Sequence, residues 1–127
     1  MSVIDEKCRE VLEKTEWNAI VTWDNQEPHL VGAWGGDLRA IGIEADTLIL
    51  PAGRYFKTEE NLKKNPRIQL MIVSKDIQGA RHQGQGYRIF GNGMIQTAGE
   101  KAEKAKAKFP SSRGALVINV AHVEALL

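Results

Sequence analysis

Leu48-Ile49-Leu50-Pro51-Ala52-Gly53-Arg54-Tyr55-Phe56-Lys57-Thr58-Glu59-Glu60-Asn61 is the stretch whose reading decides the fold. It reads as an apolar strand stopped by Pro51, a turn at Gly53, and a short acidic helix opening at Lys57-Thr58. A helix start leaves backbone N–H groups unpaired and carries the positive end of the helix dipole. With an ammonium and a hydroxyl beside them, such groups can hold a phosphate. The competing reading is a plain capped helix with a solvated lysine. Thr58-x-x-Asn61 falls short of a full capping box, so the segment alone leaves both readings open.

Working outward, Ile4, Cys8, Val11, Leu12 and Thr15 share one face at helical spacing, which predicts an amphipathic first helix opened by Ser2 or Asp5. Strands are predicted over residues 18–23 and 29–34, around a turn at Asp24 to Pro28, with a break at Gly35-Gly36. Leu38 to Ile43 and Thr47 to Leu50 read as a hairpin. The helix at Thr58 to Lys64 ends at Asn65-Pro66, because proline disfavours helical geometry in the residue before it. Arg67 to Val73 reads as a half-buried strand and Ser74 to Gly86 as a loop. Tyr87 to Thr97 reads as a long strand with a bulge or bend at Gly91 or Gly93. A helix over Glu100 to Lys108 and a last strand over Ala115 to Val120 complete the chain. Strands follow one another too closely for helical crossovers. The expected architecture is therefore mainly β: an antiparallel six- to seven-stranded barrel with short peripheral helices.

The chain has 127 residues, enough for one domain with one core. A net charge of +1 marks neither nucleic acid nor a membrane surface as partner. No run approaches roughly 18 apolar residues, so no membrane helix is expected. The charged N-terminus lacks a signal-peptide pattern, and the single cysteine, Cys8, fits a reducing cytoplasm. Cys8 lies on the apolar face of the first helix and reads as a small buried hydrophobe. His29, His82 and His122 are too scattered for a metal site. Gly84-Gln85-Gly86 opens a strand rather than a helix and lacks the third glycine of a dinucleotide fingerprint. Trp17 and Trp23 read as core or interface packing. Trp34, ending a strand beside two glycines, is placed for contact with a flat ligand.

Three patches in order resemble one family: Pro28-His29-Leu30-Val31-Gly32-Ala33-Trp34, then Leu50-Pro51-Ala52-Gly53 through Lys57-Thr58-Glu59-Glu60-Asn61, then Gly86-Tyr87-Arg88-Ile89-Phe90-Gly91. The chain is similar to the small FMN-binding split-barrel proteins of the type found in sulfate-reducing bacteria, within the pyridoxamine 5'-phosphate oxidase-like superfamily. The similarity runs over nearly the whole chain.

The resemblance implies a split barrel, a homodimer, and one FMN per subunit in the groove between subunits. It places Lys57 and Thr58 at the phosphate. Gly32, Ala33 and Trp34 fall at a strand end beside the flavin. Leu50, Pro51, Ala52 and Gly53 fall on the strand whose backbone lines the ring edge, and Leu127 packs on the flavin of the other subunit. Small residues at Gly32, Ala33, Ala52 and Gly53 suit close approach of backbone to a ring. Asp37 and Ser111 stand near positions where the small FMN-binding proteins carry aromatics, which implies a more open flavin face. The expected function is a cytoplasmic redox flavoprotein: an electron carrier served by a partner protein, or a small oxidoreductase served by a nicotinamide reductant. No residue is assigned as a catalytic acid or base. The alternative is a non-redox module on the same barrel, binding haem or another ligand.

Overall fold

The computed structural model describes residues 2–126. Seven strands form one antiparallel sheet: β1 (Trp17–Asp24), β2 (Glu27–Trp34), β3 (Ile43–Glu44), β4 (Thr47–Ala52), β5 (Arg67–Gln78), β6 (Gln83–Gln96) and β7 (Gly114–Leu126). Their spatial order is β2-β1-β5-β6-β7-β4-β3. Four short helices surround them: α1 (Glu6–Lys14), α2 (Gly35–Ile41), α3 (Phe56–Lys64) and α4 (Glu100–Lys108). This is the mainly β split barrel the sequence predicts. Its interior is filled by Ile20, Leu48, Leu50, Ile68, Leu70, Ile72, Ile89, Leu116 and Ile118, all essentially inaccessible to solvent. The first helix closes one side through Cys8, Val11 and Leu12, with Asp5 accepting from the Cys8 N–H as its cap. Burial pushes the Cys8 thiol up to about 12, so it is inert at neutral pH.

Four local expectations are corrected. Leu38 to Ile43 does not form a strand, because Gly35–Ile41 is the helix α2, ended by Gly42 at φ 111. That helix is fixed from outside itself: the Arg39 guanidinium donates to Leu12 O and Thr15 O, carbonyls left over at the end of α1. Pro51 does not stop its strand. β3 covers only Thr47 and Leu48, so further along β4 has an open edge where a missing N–H is tolerated. Most of Ser74 to Gly86 is not a loop: β5 and β6 continue as a hairpin to the Gln78–Gln83 pair, through an irregularity after Ser74. β7 likewise runs past Val120 to Leu126. In these polar extensions backbone pairing, not apolar alternation, builds the strand. The bend expected near Gly91 is present as a register shift between Phe90 and Gly91.

Candidate functional site

A cavity of about 390 Å³ opens where the ends of β2 and β4 meet the starts of α2 and α3. Gly32, Ala33 and Trp34 line it from β2, and Pro51 and Gly53 from β4 and the turn after it. Leu50 and Ala52 do not line it. Strand alternation turns them into the core, where both are fully buried. Trp34 is 59% exposed and meets Trp17 edge-to-face at 4.8 Å between ring centroids. The Trp17 ring occupies the space a Cβ on Gly32 would need. Gly32 therefore serves the packing of Trp17 as much as any ligand. A Cβ on Gly53 would meet open space.

Lys57 and Thr58, the predicted phosphate pair, are not among the residues lining the cavity. The Lys57 Nζ lies 2.7 Å from Asp24 Oδ2 and 3.8 Å from Glu60 Oε1. The hydrogen bond between them holds the Asp24 carboxyl below its ordinary range and the Lys57 ammonium above its own. Thr58 is buried, and its Oγ1 has no partner among the described residues. Asn61 lies in the same buried cluster, donating to Thr22 Oγ1 at 3.1 Å while its Oδ1 is unpartnered. Leu127 lies outside the described residues.

Asp37 and Ser111 both line the cavity, together with Trp17, Arg54, Tyr55, Phe109 and Ser112, which the sequence reading did not assign to the site. Tyr55 stands just before α3 with φ 51, a left-handed backbone that is uncommon for a tyrosine. Its hydroxyl donates to Gly32 O at 3.1 Å, tying the start of α3 to the end of β2. Burial, then the nearby Asp37 charge, raises the Tyr55 phenol, so it stays a neutral donor. Arg113 braces the same turn. Its backbone N–H donates to Ala52 O and its Nε to Arg54 O, while the guanidinium pairs with Glu59 at 3.0 Å and covers Phe56. Two of the missed residues left a signal: Arg54 and Tyr55 follow Gly53 directly. Trp17 could have been found from the β1–β2 register, which sets it opposite Trp34. Phe109 and Ser112 arrive from the α4–β7 connection, and nothing in their local sequence announces it.

An apolar slot between two strand ends, rimmed by Tyr55, Ser111, Ser112, Asp37 and Arg54, is the candidate site of this split barrel. Residues 4–127 match the pyridoxamine 5'-phosphate oxidase family, and the chain belongs to it. Over 118 residues it is 33% identical to the FMN-binding protein of Nitratidesulfovibrio vulgaris (strain DSM 19637 / Miyazaki F), covering 93% of this chain and 94% of the relative. Among solved structures, HupZ of Group A Streptococcus superposes with a TM-score of 0.78 at 20% identity, over 97% of this chain and 94% of that one. An FMN-binding protein from Syntrophomonas wolfei subsp. wolfei gives 0.64 at 19% identity, over 94% and 88%. Those two likenesses speak to the fold alone. Among the described residues, no helix is long and apolar enough to cross a membrane.

Proposed function

We propose that the cavity binds FMN and that the protein works in redox chemistry, as an electron carrier or a small flavin oxidoreductase in the cytoplasm. One observation carries this reading: the two strand ends expected to border a flavin, Gly32 to Trp34 and Pro51 to Gly53, meet in one cavity of about 390 Å³. Ligand pockets of this size, mainly apolar with a few placed polar groups, suit a planar cofactor. The relative named an FMN-binding protein supports the choice of cofactor. Bound FMN would supply the one- or two-electron step, while the protein sets its position and surroundings. In this reading Gly32, Ala33, Trp34, Pro51 and Gly53 border the ring. Leu50 and Ala52 hold β4 in place from the core, and the phosphate lies toward the start of α3 with Lys57 and Thr58. The electrons come from a nicotinamide or a partner protein.

The reading includes a homodimer. On the outer face of β2-β1-β5, Leu30 pairs with Val21, Gly32 with Ala19, Ala19 with Met71, and Trp34 with Trp17. Leu30, Met71 and Val73 are 70%, 49% and 47% exposed. This apolar sheet face reaches the cavity through Trp17, Gly32 and Trp34, so a second copy seated on it would also wall the site. Sedimentation should give a dimer that Met71→Glu dissociates. A monomer that still holds FMN tightly would refute the shared groove.

The test of the main reading is the visible spectrum of the purified protein, followed by titration of the apo form with FMN. Saturation at one FMN per chain is expected. Rapid anaerobic bleaching by NADH or NADPH would mark an oxidoreductase, and bleaching only by a protein reductant would mark a carrier. The non-redox alternative draws on a specific observation: Lys57 is already paired and the Thr58 hydroxyl is enclosed. A colourless protein that ignores FMN but takes up haem or another ligand would establish it.

A further inference from the structure

Several cations lie along α3 and the turn that leads into it, and they differ in what already neutralises them. Lys57 is held by Asp24 at 2.7 Å and faces Glu60. Arg113 is held by Glu59 at 3.0 Å, donates to Arg54 O and lies over Phe56. Lys63 and Lys64 face Glu59, Asp24 and Glu60. Arg54 alone of this set lines the cavity, and its guanidinium makes no ion pair or hydrogen bond among the described residues.

We propose that Arg54 is a further anion-binding residue of the site, recognising the phosphate of a phosphorylated flavin from the cavity side and adding to Lys57, whose charge Asp24 partly answers. This rests on the flavin reading above. A phosphate approaching Lys57 must share it with Asp24, whose carboxylate repels the incoming dianion. One approaching Arg54 displaces only water and meets a planar fork of donors suited to phosphate oxygens. Arg113 fixes where that fork starts. By gripping the Arg54 carbonyl from one side and Glu59 of α3 from the other, it anchors the backbone of the turn and leaves the Arg54 side chain free. Asp37 lines the same cavity, and its carboxylate repels an anion placed near it. Opposite charges within one cavity give a phosphorylated ligand a preferred orientation.

The test is a titration of wild type, Arg54→Gln and Lys57→Gln with FMN and with riboflavin, which has the same ring and no phosphate. Circular dichroism confirms that each variant folds. Arg54→Gln should weaken FMN binding by about tenfold or more, the scale of a charge-assisted hydrogen bond, and change riboflavin binding by less than about twofold. Lys57→Gln should likewise weaken FMN more than riboflavin, as a second grip on the same phosphate. Equal losses for both flavins in Arg54→Gln, or FMN affinity changed by less than about twofold in it, would overturn the assignment. If wild type binds neither flavin, the flavin reading fails, and inorganic phosphate then tests Arg54 separately. Phosphate-induced amide shifts at Gly53 to Tyr55 in wild type, absent in Arg54→Gln, would uphold Arg54 as an anion site. No shifts, or shifts in both, would reject it.

Discussion

Gly32 to Trp34 and Lys57-Thr58 carry the same kind of family resemblance, yet the fold treats them differently. The first set faces a cavity with side chains and backbone on offer. In the second, a lysine is spent on Asp24 and a hydroxyl is enclosed without a partner. A motif fixes which atoms are present, and the neighbours brought by other elements fix what those atoms are free to do. Asp24 lies 33 residues before Lys57 and reaches it only because α3 packs against β1.

The contrast can be broken or sharpened by substitution. The largest effect belongs to Leu50, a motif residue that the fold turns into the core. Leu50→Ala should destabilise by about 2–5 kcal/mol in urea unfolding, and a loss well under 1 kcal/mol would mean that Leu50 is not packed as described. Next comes Gly32→Val, whose side chain must displace the Trp17 ring. It should cost about 1–3 kcal/mol and weaken flavin binding, while an unchanged melting temperature would show that Trp17 does not sit over Gly32.

Thr58→Val sharpens the other side. Removing a buried hydroxyl that lacks a partner should raise stability by roughly 1 kcal/mol while weakening FMN if the hydroxyl serves the phosphate. A loss of stability would reveal a partner for Thr58 that the fold does not display. Tyr55→Phe deletes the bond to Gly32 O and should cost about 0.5–1.5 kcal/mol, read by the same unfolding curves. Unchanged stability would show that this tie between α3 and β2 carries no weight.

The smallest effect is acid dependence at Asp24. Its carboxyl lies lower in the folded than in the unfolded chain, chiefly through the bond to Lys57. The unfolded chain therefore binds the proton first. The pair's contribution is present above the ordinary carboxylate value and is lost as the pH falls through the lowered one. Below about pH 4, wild type should lose stability more steeply than Asp24→Asn. Parallel slopes would mean that the pair is not formed in solution.

Much of this was legible beforehand, for physical reasons. Alternation and turn chemistry gave the barrel, because Ile20, Leu70, Ile89 and Leu116 repeat where the interior needs them. The same cues misread α2, whose helical state is fixed by Arg39 bonding carbonyls of α1, a contact no local window contains. They missed the ends of β5, β6 and β7, where polar residues pair by backbone alone. In the site, the strand-end residues of β2 and β4 were readable through the resemblance, since the two strands are not paired and meet only at the cavity. Ser111 was noticed through the resemblance alone. Phe109 and Ser112 escaped because they reach the cavity from a distant connection.

The central claim is that the cavity between the ends of β2 and β4 takes the flavin. The most direct measurement is an amide ¹⁵N–¹H spectrum recorded while FMN is titrated into the apo protein. Shifts at Gly32, Ala33, Trp34, Ala52 and Gly53 that saturate together at one FMN per chain are predicted. Shifts confined to other surfaces, or none at saturating FMN, would contradict it.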